Sequence, residues 1–184
     1  MSLKITVQPK ELWDEEKEQF VSLDKPIDLV LEHSLVSISK WESKWKKPYL
    51  TNDKKSNEEI LDYIRCMTIT QNVDPNVYYA LSADNLEAIR SYIEDDMTAT
   101  TFSDGATAQK TYKREVITSE VIYYIMTANN IPVEFQKWHL NRLLVLLKVC
   151  GIKNAPPKKM SKRDTVSHYA ALNKARRAKH NSRG

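Results

Sequence analysis

Only three glycines occur in the 184 residues of this chain, and nothing else in the sequence narrows its fold as much. Glycine takes left-handed backbone at tight turns without a Cβ clash. A sandwich or barrel of many short strands needs such turns at each corner, and a phosphate-cradling loop needs bare backbone N–H groups. The scarcity argues against both. A chain of this length still buries roughly 70% of its unfolded surface, enough for one domain with a real core. What remains is a mainly α fold.

Strand periodicity is confined to the start. In "LKITVQ", Leu3, Ile5 and Val7 alternate with Lys4, Thr6 and Gln8, the mark of a half-buried strand. "PIDLVLEH" repeats the pattern with Ile27, Leu29 and Leu31, and "WDEEKEQFVSL" between them offers one more short strand. These predict a small β element over residues 1–33, an α+β class overall.

Helical spacing takes over next, and residues 34–154 are expected to form a helical core. Ser34 can cap "LVSISKWESKW", whose Leu35, Ile38, Trp41 and Trp45 share a face, and Pro48 should stop it. Ser56 and Glu59 have capping-box spacing before Ile60, Leu61, Ile64 and Met67. "VDPNVYYALS" predicts a helical turn or two. Asp84 with Glu87 offers another capping box, ahead of Leu86, Ile89, Ile93 and Met97. That helix would hold Glu94, Asp95 and Asp96 in its last turn, where the dipole disfavours negative charge. "TATTFSDGATAQKTY" reads as a mobile polar loop.

An αα-hairpin follows. "TSEVIYYIMTANN", capped by Thr118 or Ser119, leads to Pro132 at the first position of a long helix, "VEFQKWHLNRLLVLLKVC". Its apolar residues around Leu143 to Leu147 go most of the way round, so it is expected to be the central core helix, with Gly151 as its C-cap. "NAPP" breaks the chain, and Ser161 is expected to start a final helix within a basic tail, residues 155–184.

Little in the sequence suggests catalysis or metal binding. None of His33, His139, His168 and His180 has a second His or Cys at i+3 or i+4, and Cys66 and Cys150 belong to no CxxC. His139 reads as a hydrogen-bonded core or rim residue, and the cysteines as two free thiols in a reducing cytosol. GxSxG, GKS or GKT, and HExxH are missing. Asp95 and Asp96 are adjacent, so on a helix they point apart and form no dyad. No cofactor is expected, and no enzyme. The longest aliphatic run, Leu143 to Leu147, falls far short of the roughly 20 residues that span a bilayer.

Charge is unevenly placed. Residues 158–184 hold nine Lys or Arg against Asp164, a net +8, while the whole chain is +4, which leaves −4 for residues 1–157. Lys158, Lys159, Lys162, Arg163, Lys174, Arg176, Arg177 and Lys179 are the candidate contacts of this tail. A phosphate backbone would attract it, with salt-dependent affinity. An acidic protein surface would do so equally, whether "EDD" of the body or that of a neighbouring copy. Trp41 and Trp45 among Lys40, Lys44, Lys46 and Lys47 could stack on single-stranded nucleic acid. Their place on the Leu35–Ile38 stripe favours core packing or a protein interface instead.

Four stretches together carry a resemblance: "LEHSLVSISKWESKWKKPYL", "EEILDYIRCMTI", "EVITSEVIYYIMTANNIPVEFQKWHLNRLL" and "IKNAPPKKM". From about Leu31 to the end the chain resembles the tail assembly chaperones of tailed bacteriophages, with "SKWESKW" and "WHLNRLL" its most distinctive words. The resemblance implies a protein that binds the tape measure protein and keeps that long helical client soluble in the host cytoplasm while the tail tube polymerises. Other tail proteins and a second copy of the chain are further expected partners. Trp41, Trp45, Tyr123, Tyr124, Trp138 and Arg142 are the candidate contact residues, although no family motif assigns them a role and core packing competes at Trp138. Two rival readings stay open: a structural virion protein of the tail or head–tail junction, and a nucleic-acid-binding protein using its basic tail.

Overall fold

The structure, a computed structural model, describes residues 2–14, 19–102, 116–155 and 162–180. It is mainly helical, with a small antiparallel β element at the N-terminus. Strand β1 (Leu3–Val7) pairs antiparallel with β4 (Ile27–Leu31), from Leu3 opposite Leu31 to Val7 opposite Ile27. Alternation sets the faces: Ile5, Val7, Leu29 and Leu31 are buried while Lys4, Thr6 and Asp28 face out. Between them β2 (Glu11–Asp14) and β3 (Gln19–Ser22) make a hairpin, two strands where the sequence predicts one. The other edge of β4 is satisfied by residues following α2. Ile69 donates its N–H to the Val30 carbonyl (2.9 Å), and Val30 donates to Thr70 Oγ1 (2.9 Å).

Helix α1 (Leu35–Trp45) begins at Ser34 as expected. Ser34 Oγ accepts from the Ser37 N–H (3.4 Å) and Ser37 Oγ accepts from the Ser34 N–H (3.0 Å). It ends before Pro48, with Lys46 in the left-handed region at φ 55°. The Ser56–Glu59 capping box opens α2 (Asn57–Met67) as its spacing predicts. A 3-10 turn follows at Pro75–Ala80.

The cap of helix α3 (Ala83–Glu94) lies two residues before the expected one. Ser82 and Asn85 make the reciprocal cap instead of Asp84 and Glu87, and Asn85 Nδ2 also donates to the Thr6 carbonyl of β1 (3.3 Å). The contact with Thr6 favours the earlier cap. Because α3 stops at Glu94, Asp95 and Asp96 lie beyond its last turn, and Asp95 Oδ1 accepts from the Met97 N–H (2.7 Å).

Helix α4 (Ser119–Ala128) forms where expected, after Thr118. The second arm of the hairpin does not run from Pro132. A 3-10 turn at Val133–Lys137 ends at Trp138, and α5 (Leu140–Asn154) starts afresh. The interruption has a cause: the Leu140 N–H donates to the His33 carbonyl (2.9 Å), and His139 bridges to Ser34 in the manner of a strand. Gly151 lies inside α5 and caps nothing. Nor is α5 central. Leu140, Leu143 and Leu147 are buried, but Leu144, Val145 and Leu146 only half so. The core instead centres on β4, α1 and α2, around Leu29, Leu31, Leu35, Ile38, Trp41 and Met67.

Residues 1–150 form one compact unit, in which β element and helices share a core, and residues 151–184 form another. The second contains α6 (Lys162–His180). The expected mobile loop falls largely on residues 103–115, and the expected start at Ser161, with Lys158 and Lys159, on residues 156–161; both lie outside the described residues. No helix among the described residues is long and apolar enough to cross a membrane.

Candidate functional site

The "SKWESKW" word of α1 closes a clasp onto α2. Trp41 is buried and its Nε1 donates to the Glu59 carbonyl (2.9 Å). Trp45, half-buried, donates Nε1 to Asp62 Oδ2 (2.8 Å), and Lys44 pairs with the other oxygen of the same carboxylate. Lys47 reaches Glu59 (2.5 Å). The two indoles stack at 6.1 Å, and Tyr49 stacks on Tyr63 at 4.1 Å. This corrects the expectation for Trp41: a buried ring with its N–H already used offers nothing to a partner or to a base. The lysines neutralise α2 acids that would otherwise sit half-desolvated.

Beneath the clasp lies a polar knot. His33 Nδ1 is 2.5 Å from the Tyr63 hydroxyl, the His33 and His139 rings are 5.0 Å apart, and His139 Nε2 meets the Tyr92 carbonyl at 2.9 Å. Burial, and then His139, push the His33 pKa down to about 3; burial lowers that of His139 too. Burial raises both Tyr49 and Tyr63, Tyr63 far above the usual phenol range. Neutral His33 can then accept the Tyr63 proton in a hydrogen bond. His139, expected in the core or at its rim, is in the core. Cys66 and Cys150 are free thiols. Among the described residues, no group of three or more His, Cys, Asp or Glu is placed to hold a metal ion.

A groove of about 610 Å³ lies between α2 and α3. Helix α2 packs on α1 and α3 packs on β1, and the facing stripes of α2 and α3 stay incompletely covered. Ile64 and Ile89 form its buried floor, Leu61 and Ile93 its half-buried walls, and Ile60 and Leu86 its exposed lips. Lys55 and the Arg90–Glu94 pair (3.0 Å) supply charged rims. An apolar floor with a sparse polar border is the usual make-up of a site that binds an apolar face. Sequence periodicity names these residues as stripes but assigns them to the core. The hint lay in Ile60 and Leu61 together, a stripe wider than a single packing seam.

Of the other expected contact residues, Trp138 and Arg142 come together. Phe135 stacks on Trp138 (3.9 Å), the Arg142 guanidinium lies over the Trp138 ring (4.4 Å), and the Tyr123 hydroxyl donates to Gln136 (2.9 Å). Tyr124 is 72% exposed and Trp138 half-buried. In α6, Arg163, Lys174, Arg176, Arg177 and Lys179 are exposed.

No protein-family profile, curated protein or solved structure matches this chain.

Proposed function

We propose that this chain is a non-catalytic polypeptide-binding protein whose α2–α3 groove receives the apolar face of an amphipathic client helix. The observation that carries the reading is the exposed lip pair Ile60 and Leu86 over the Ile64–Ile89 floor. Helix-in-groove recognition reads anchors at i, i+3, i+4 and i+7, which suits such a trough. Exposed Tyr124 and the Trp138–Arg142 pair are further candidate contacts, since Trp, Tyr and Arg dominate binding hot spots.

The client proposed is the tape measure protein of a tailed bacteriophage, bound in the host cytoplasm during tail assembly, the role that the resemblance of "SKWESKW" and "WHLNRLL" implies. Co-expression with that client, followed by affinity capture and a solubility assay, tests it. Association and a larger soluble fraction are expected, both weakened by Ile60→Asp. No association, or association indifferent to the groove, overturns it. Mass spectrometry of purified particles separates a chaperone, absent from them, from a structural virion protein.

One observation favours a second reading. The exposed Arg163, Lys174, Arg176, Arg177 and Lys179 of α6 could neutralise phosphates, which predicts nucleic-acid affinity that falls steeply with salt and disappears without residues 158–184.

A further inference from the structure

Lys55 gives the α2–α3 groove a direction. It precedes the first residue of α2 by two and lines the groove together with Asn57, at the end where α2 begins. Ile60, Leu61 and Ile64 continue the lining along the helix. The Lys55 ammonium lies over the Tyr49 ring at 4.7 Å and over the Trp41 ring at 6.0 Å, and the residue is half-buried. Ring faces of this kind hold a cation in place without neutralising it. Among the described residues Lys55 enters no ion pair. The other charges of the lining satisfy each other, Arg90 Nε reaching Glu94 at 3.0 Å. The groove is thus largely apolar, with one cation at its end that no acid of the described residues holds. The surrounding field has the opposite sign: nine acids against Arg65 and Arg90 give residues 56–96 a net charge of −7.

We infer that the helix received by this groove carries a carboxylate at one end of its apolar stripe, seated on Lys55, and none along the rest of that stripe. The inference rests on the helix-binding reading above and adds the charge and the direction of the bound segment. A Glu or Asp one turn beyond the last apolar anchor would meet an ammonium already held in place, so little side-chain freedom is lost on this side of the contact. The Asn57 side-chain amide, at the same end, offers a second donor. The same acid at the opposite end would meet the negative field of α2 and α3 and gain nothing. Reversing the helix would carry its carboxylate away from Lys55, so a single acid orients the client. Apolar insertion supplies the affinity, and the ion pair supplies register and direction.

Fluorescence anisotropy with the full-length chain and three synthetic helical peptides, at low salt, provides the test. All three carry leucine at i, i+4, i+7 and i+11 on an uncharged background. One has no acid, one has glutamate a turn before the first leucine, and one has it a turn after the last. The neutral peptide is expected to bind. One acidic peptide should bind about three- to fivefold more tightly, and the other no better than the neutral one. Raised salt should erase the gain. Lys55→Gln should abolish it and Lys55→Arg should keep it. Lys55→Glu should transfer the preference to a peptide with lysine at the favoured place, with helical circular dichroism unchanged in all three variants. Equal affinities for the three peptides, or a gain that survives Lys55→Gln, overturn the inference and leave the helix-binding reading standing. Failure of every peptide to bind overturns both.

Discussion

One oxygen of the Glu42 carboxylate, near the end of α1, accepts a 2.8 Å hydrogen bond from the backbone N–H of Ser119, the first residue of α4. The other accepts from the Tyr49 N–H at 2.7 Å. Thr118, at the N-cap of α4, makes no side-chain cap bond. A buried side chain 77 residues away in sequence does the capping instead, with its negative charge at the positive end of the helix dipole.

Glu42→Ala should therefore cost about 3 kcal/mol, because it orphans two N–H groups, one of them buried. Glu42→Gln keeps an acceptor and should cost about 1 kcal/mol. Urea unfolding midpoints measure both. An alanine variant within 0.5 kcal/mol of wild type would show that α4 finds its cap elsewhere.

Trp41 and Trp45 share a sequence word but not an environment. Trp41→Ala is expected to cost about 3–5 kcal/mol, as for a large buried ring. Trp45→Ala, at a half-buried site, should cost about 1–2 kcal/mol, much of it from the Asp62 oxygen left without its indole partner. Equal losses at the two positions would contradict the placement of Trp41 in the core.

Acid should loosen the fold through His33 and His139. Both are held neutral by burial, His33 with a pKa near 3, so the unfolded chain binds more protons once the pH drops below the ordinary histidine value of about 6.5. Stability is full above that value and falls as pH declines toward 3, by about 1.4 kcal/mol per pH unit from His33 alone. Lys47 and the Ser56 N–H hold the Glu59 carboxyl below the ordinary carboxylate range. Urea midpoints at pH 7.5, 6 and 5 should fall in that order, and His33→Asn should flatten the slope. A midpoint constant from pH 7.5 to 5 would mean that neither imidazole is sealed.

Lys46 adopts φ 55° at the C-cap of α1 with its side chain exposed. A Cβ in that region costs about 1 kcal/mol and glycine does not bear it. Lys46→Gly should thus raise stability by about 0.5–1 kcal/mol, a gain visible as a higher thermal midpoint. A loss would reveal that Lys46 contributes contacts worth more than its backbone strain.

What could be read from the residues was local. Alternation in "LKITVQ" and "PIDLVLEH", and the caps at Ser34 and Ser56, are decided within a few residues, so they are legible. The start of α3 and the break at Trp138 are decided by Thr6 and by the His33 carbonyl, groups 79 and 107 residues distant, and no window of sequence contains them. The groove belongs to the same class. A stripe of Ile60, Leu61 and Ile64 announces an apolar face but not whether another element closes over it. Glycine scarcity, by contrast, was a global signal: among the described residues the left-handed positions fall to Lys46, Asn72, Met97 and Asn130.

The stacked Tyr49–Tyr63 pair has an optical consequence. Burial pushes both phenols above the ordinary tyrosine range, so an alkaline absorbance titration should find their phenolates missing from its early rise. Those two would light up late, when the protein opens, giving a label-free clock for unfolding at high pH.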